Sequence, residues 1–307
     1  MHSTQGRTRG ANPDRPVTRG ARLLRRALLL LCLIAAPCVA NTDWSAVCEQ
    51  GPPPMLAAPV EQGTVILIID DMGHQLGNGM AVVGLPGRFN LAVLPHTPHG
   101  ASLAQAGHTA GKEIMLHAPM SNLAGKPLGA GGLTPDQDET QFIATLEGAI
   151  DGIPHVRGVN NHMGSDLTQR REQMAWLMDG LLRHGLYFVD SRTSADSVAA
   201  QTAIEHGVPN LSRQVFLDNE RNQQSIGERF RRLVGLVEKS GMAVGIGHPY
   251  PETVEFLEDA LPRLKCRGIE LAHVSEALDG RTSYGRMAEM GDSNSEPDLN
   301  PLLSHVG

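Results

Sequence analysis

The amino-acid sequence predicts an α/β protein, a distorted (β/α) barrel of about seven parallel strands. Apolar runs of strand length recur along its 307 residues. Segments with helical periodicity separate those runs. Most of the runs end on a polar side chain, the place where a parallel barrel presents its functional groups.

The first run, Val65-Ile66-Leu67-Ile68-Ile69, is too short for a buried helix and suits a strand covered on both faces. Further candidate strands cover 90–94, 113–116, 156–160, 186–189, 214–217, 243–246 and 269–272, and candidate helices lie near 76–83, 101–110, 138–150, 170–184, 197–206, 225–240 and 253–264. Strand-then-helix order implies right-handed crossovers into a parallel sheet, and seven or eight such units suggest a closed or nearly closed barrel. No Gly-x-Gly-x-x-Gly follows the first strand, which tells against an open doubly wound sheet.

The flanks differ from this pattern. Arg22, Arg25 and Arg26 precede an apolar stretch over 27–36, and Pro37-Cys38-Val39-Ala40 closes it with small residues. Residues 1–40 are therefore expected to be a secretory signal, too short to span a membrane comfortably, with an uncleaved anchor as the alternative. Residues 41–63 form a Pro-rich arm or linker, 64–280 the barrel domain, and 281–307 a disordered tail. Cleavage after Ala40 leaves Cys48 and Cys266, either bridged or separate.

Composition excludes several function classes. A formal charge of -7 and the lack of a basic block after the leader argue against nucleic acid. No Cys-x-x-Cys pair is present, so a thiolate zinc site is not expected. The 13 histidines set against 3 Tyr, 2 Trp and 6 Phe make the chain rich in metal ligands and poor in sugar-stacking rings.

The strand ends carry the chemistry. Asp70 and Asp71 follow the first strand, His117 the third, Asn160-Asn161-His162 the fourth, Asp190-Ser191-Arg192 the fifth, Asp218 the sixth and Gly247-His248 the seventh. Each residue alone is commonplace at a strand end or surface, but in one parallel barrel all would converge on one mouth. An Asp with two His suits Zn²⁺ or another divalent transition metal, since one anionic oxygen and two imidazoles leave a position open. A second carboxylate then serves as base and a separate His as acid, which is the apparatus of amide or ester hydrolysis.

In ordered combination, Asp70-Asp71-Met72-Gly73, Gly111-Lys112-Glu113-Ile114-Met115-Leu116-His117, Asp190-Ser191-Arg192 and Gly247-His248 resemble the polysaccharide deacetylases, specifically their divergent branch in secreted bacterial proteins. The resemblance covers roughly residues 64–278. It implies a distorted (β/α) barrel, a Zn²⁺-type metal, and removal of N-acetyl (or O-acetyl) groups from an envelope or extracellular glycan such as peptidoglycan or an exopolysaccharide. Carried over by position, Asp70 is the base, Asp71 the metal carboxylate, His117 the first metal histidine and His248 the acid. The family's second histidine, four positions after the first, is Ser121 here. His162 is expected to supply that ligand instead. Arg192 is a candidate to orient Asp70 or form a surface ion pair, and Asp190 and Asn161 are candidates for orienting or substrate contact.

The cation is expected to hold the Asp70 pKa low. Two further readings stay open: a catalytically impaired periplasmic protein that binds a glycan or a partner on the same barrel, and a metal amidase acting on peptide. The leader places the mature chain outside the cytoplasm, periplasmic or extracellular, beginning near Asn41. Mass spectrometry of the N-terminus should find that start, and an intact Met1 in the soluble cytoplasmic fraction would contradict it.

Overall fold

β1 (Gly63–Met72) is the strand on which the sheet is built. A computed structural model of the protein describes residues 63–280, so the expected signal, most of the arm and the tail lie outside the described residues. After β1 come α1 (Leu76–Gly84), β2 (Asn90–Val93), α2 (Gly100–Thr109), β3 (Glu113–Met120), α3 (Glu139–Asp151) and β4 (Val156–Met163). A short 3-10 turn (Leu167–Gln169), α4 (Arg171–His184), β5 (Tyr187–Asp190), α5 (Ala199–Glu205), β6 (Asn210–Ser212) and β7 (Val215–Phe216) follow. The chain then forms α6 (Gln223–Ser240), β8 (Met242–Gly247), α7 (Pro251–Lys265), β9 (Ile269–Leu271) and α8 (Val274–Leu278).

Every strand pairing is parallel, in the order β6-β5-β4-β3-β2-β1-β8-β7. β1 is long enough to carry β9 beside Gly63–Val65 and β2 farther along. The sheet's two edge strands are joined by Arg213 and Gln214 alone. The Arg213 N–H donates to the Asp190 carbonyl of β5, and the Gln214 N–H to the Val244 carbonyl of β8. The sheet therefore curls until its edges nearly meet, a half-closed barrel ringed by helices.

Alternation along the strands makes two apolar cores. Val65, Leu67 and Ile69 face the helices, in a core shared with Leu91, Leu116, Phe142, Leu177, Phe230 and Leu257. Ile66 and Ile68 face the barrel interior with Met115, Tyr187, Val189, Val244 and Ile246. α8, which the apolar pattern did not reveal, plugs the far mouth: Ser275 N–H and Tyr187 Oη both donate to Glu113 Oε1, at 3.0 and 2.9 Å, and Val274 N–H donates to Asn90 Oδ1 at 3.0 Å. Buried polar groups at that end are thus satisfied, as folding requires.

Helix ends follow local chemistry. Asp138 opens α3 with a reciprocal capping box to Gln141. Gly185 ends α4 and Gly241 ends α6 in the left-handed region, at φ 64° and 75°. Cys266 is disulfide-bonded; Cys48, either bridged to it or separate on the sequence reading, lies outside the described residues. Among the described residues no helix is long and apolar enough to cross a membrane.

Gly158 of β4 faces the barrel interior against the Tyr187 ring, where an added Cβ would overlap the ring. Gly158→Ala should therefore cost about 1–3 kcal/mol through overpacking. Urea unfolding should show a lower midpoint with an unchanged slope, and an unchanged midpoint would contradict this packing.

Candidate functional site

The apolar runs end before the strands do. Asp70 and Asp71 lie within β1, His117 within β3 and His162 within β4, all toward the C-terminal ends of their strands, with His117 and His162 still paired in the ladder. Rigid strands thus fix their directions. Asp70 has the inward parity of Ile66 and Ile68. Asp71 would face outward, but its φ of 55° and a register shift between Ile69 and Met72 turn it back. His117 shares parity with Met115, and Asn160 and His162 share parity with Gly158.

Three donor atoms converge. His117 Nε2 lies 3.2 Å and His162 Nδ1 2.9 Å from Asp71 Oδ1, and the two nitrogens are 3.1 Å apart. Donors about 2.0–2.2 Å from one ion, at angles near 90–110°, stand roughly 2.8–3.6 Å from one another. Asp71 Oδ1 is buried and accepts no hydrogen bond of proper geometry. Both imidazole nitrogens are near it, yet neither directs a ring N–H at it. The arrangement fits three ligands aimed at a shared point, the trio of Asp71, His117 and His162 that could hold a divalent ion.

Asn160 fixes two members of this site at once. His117 Nδ1 is 2.7 Å from its Oδ1, and its Nδ2 donates to Asp70 Oδ1 at 2.7 Å. Because the carboxylate must accept, the amide orientation is set. Nδ1 then carries the His117 proton in the neutral ring, leaving the Nε2 lone pair for an ion. Asn160 is fully buried.

The ionisation of the group is mutual. Burial pushes Asp70 up, opposed by His117, His248 and the Asn160 amide, and the net direction is upward. The low Asp70 value expected from the sequence presupposes a cation, and the protein groups alone do not provide it. Burial also pushes Asp71 up, but the imidazoles of His117 and His162 outweigh it and hold Asp71 well below the usual carboxylate range. His117 is raised, the pull of Asp70 and Asp71 exceeding the cost of burial. The trio thus attracts positive charge.

His248 follows β8 on the inward parity of Val244 and Ile246. Its Nδ1 is 2.8 Å from Asp218 Oδ1, and its backbone N–H donates to Asp218 Oδ2 at 2.6 Å. Thr253 Oγ1 also donates to Oδ2, at 2.8 Å. Burial lowers His248, while Asp218, Asp70 and Asp71 together raise it to about 9. Asp218 stands out in the sequence only as a strand end; its role becomes visible once β7 is seen beside β8.

Three expected helpers lie elsewhere. Asn161 and Asp190 have the outward parity of Val159 and Phe188, so neither side chain enters the barrel. Asn161 Oδ1 accepts from Ser191 N–H at 2.9 Å, and Asp190 accepts from Arg192 N–H and Ser197 Oγ, both at 2.8 Å. Both hold the loop after β5. Arg192 is exposed and makes no ion pair with Asp70, whose orientation comes from Asn160 instead. Ser121 does not act as a ligand: it donates to Asp166 Oδ2 at 2.6 Å. Of the loop histidines, His74 lines a cavity of about 160 Å³ beside Asp71 and Tyr250, and His273 bonds the Gly111 carbonyl at the opposite mouth.

A model of the divergent polysaccharide deacetylase family matches residues 67–278. The uncharacterized protein YibQ of Escherichia coli is 35% identical over 209 residues, 68% of this chain and 66% of its own length, so the match spans just under two thirds of that relative. An uncharacterized protein of Haemophilus influenzae is 32% identical over 66% of this chain and 72% of its own. A crystal structure of an uncharacterized protein from Agrobacterium tumefaciens superposes with a TM-score of 0.67 at 22% identity, covering 75% of this chain and 94% of that one, and shares the fold.

The Asp218–His248 pair gives a pH signature. With its folded pKa near 9, above the ordinary value of 6.5, His248 contributes stability that is fully present below about pH 6.5 and lost as pH rises through about 9. In Asp218→Asn the imidazole should titrate well below 9 in an NMR pH series, and stability should fall less between those limits. A variant still titrating near 9 would show that Asp218 is not the cause.

Proposed function

The chain belongs to the divergent polysaccharide deacetylase family, and from that premise we propose that it is a secreted, metal-dependent hydrolase removing N-acetyl (or O-acetyl) groups from an envelope or extracellular glycan. One observation carries the proposal: three metal-type donors converge within 3.2 Å beside a buried carboxylate that is not among them. Asp71, His117 and His162 would hold Zn²⁺ or another divalent transition metal. Such an ion supplies Lewis-acid chemistry, polarising an acyl carbonyl and acidifying water.

The remaining steps fall to the chain's own groups. Asp70, held by Asn160, accepts the proton of the attacking water at its carboxylate. His248, protonated at neutrality, gives its proton to the departing nitrogen or oxygen and is restored by later exchange. The two follow the paired residues Ile69 and Gly247 of adjacent strands, both on the inward parity. The disulfide at Cys266 supports an oxidising compartment, in keeping with the leader.

A second reading, a catalytically impaired glycan-binding protein, draws on the absence of an arginine contact to Asp70 among the described residues. Activity separates the two. Zinc-loaded protein should release acetate from N-acetylated oligosaccharides or peptidoglycan, and Asp70→Asn should retain zinc while losing on the order of 10²–10⁴ in rate. Full activity in Asp70→Asn would refute the base assignment. A stoichiometrically loaded wild type inert on every acetylated glycan tried would favour the binding reading.

A further inference from the structure

A row of cations and rings borders the candidate site. The Arg213 guanidinium lies 3.8 Å from the Phe216 ring centroid, Phe216 stacks on His248 with centroids 6.1 Å apart, His248 stacks on Tyr250 at 5.3 Å, and the Arg221 guanidinium lies 3.5 Å from the Tyr250 centroid. The interplanar angles of 22° and 27° make this one continuous stack rather than isolated pairs. Its middle member is the proposed acid. Tyr250 also lines the cavity of about 160 Å³ that opens onto Asp71.

His248 is paired with Asp218, but the arginine charges of this row are not spent on carboxylates. Among the described residues, no Asp or Glu oxygen lies within 4.0 Å of the guanidinium of Arg213, Arg221 or Arg192, a condition shared by Arg157, Arg229, Arg231 and Arg232, whereas Arg88, Arg170, Arg171, Arg183, Arg263 and Arg267 have such partners. Arg213 is half-buried and directs Nε and one Nη to the carbonyls of Ser191 and Arg192, which ties the Arg192 loop to its end of the row. Arg221, exposed at the other end, lies with its face on Tyr250. A stacked guanidinium uses its face and keeps its N–H donors in the plane, free to bind an oxyanion in bidentate fashion. The stacking also limits the rotamer freedom that would be lost on binding.

We propose that the Arg213–Phe216–His248–Tyr250–Arg221 row is a substrate subsite for an acidic glycan, in which Arg221, held in place on the Tyr250 ring, takes a carboxylate of the sugar chain. The inference rests on the glycan reading above and narrows it from acetylated glycans in general to carboxylate-bearing ones.

Binding without turnover tests this. Isothermal titration of the metal-free, chelator-treated mature chain should compare a neutral tetramer of N-acetylglucosamine with a tetramer in which N-acetylglucosamine alternates with N-acetylmuramic acid. The acidic tetramer should bind about tenfold tighter or more at about 50 mM salt, with the ratio shrinking as screening rises. Arg221→Gln should bring the ratio of the two dissociation constants to about one. Equal wild-type affinities, or an Arg221→Gln ratio like that of wild type, would overturn the subsite while leaving glycan binding intact. Failure of both oligosaccharides to bind would overturn the glycan reading itself.

Discussion

The conformation of Asp71 is the constraint on which the candidate site depends. Side chains alternate along a strand, so two consecutive residues of β1 should face opposite sides of the sheet. Asp70 faces into the barrel by parity; Asp71 joins it because its φ is 55° and the ladder shifts there. A non-glycine residue in this region costs on the order of 1–2 kcal/mol. The turned carboxylate is partly exposed, but its Oδ1 is buried between two imidazole nitrogens and accepts no hydrogen bond. Strain and unmatched lone pairs coincide at one point, which is what a cation site looks like before the cation is counted.

The same geometry separates the two carboxylates. Asp71 is drawn into the trio, and Asp70 is held by the amide of Asn160, which also fixes the His117 tautomer. One uncharged side chain therefore keeps the base apart from the ligands while positioning both. After β8, the strand beside β1, Asp218 raises His248 through a carboxylate anchored by Thr253 and by the His248 backbone. The acid His248 thus has a carboxylate partner of its own, separate from the base Asp70.

Much of this was legible in the sequence. Apolar runs located the strands, and the residues that end those runs supplied Asp70, Asp71, His117, His162 and His248, which the structure gathers at one end of the barrel. What the runs hid has physical causes. β6 is three residues long and lacks a strong apolar pattern, and α8 is a five-residue plug defined by its hydrogen bonds to Asn90 and Glu113 rather than by periodicity. Strand ends looked short because polar residues can remain in a ladder. Parity would have improved the choice of helpers: Asn160 shares the face of His162, whereas Asn161 and Asp190 lie on the opposite face. Asp218 was read as a strand end, but its partnership with His248 was beyond reach, because the pairing of β7 with β8 is not encoded in spacing.

The central claim is that Asp71, His117 and His162 hold one divalent ion while Asp70 stays free of it. X-ray absorption at the zinc edge on protein loaded to one equivalent tests this most directly, with His162→Ala and Ser121→Ala measured alongside. The account predicts a first coordination shell of oxygen and nitrogen donors containing two imidazoles, lost to one imidazole in His162→Ala and unchanged in Ser121→Ala. Zinc that fails to bind stoichiometrically, or a wild-type spectrum identical to that of His162→Ala, would contradict it.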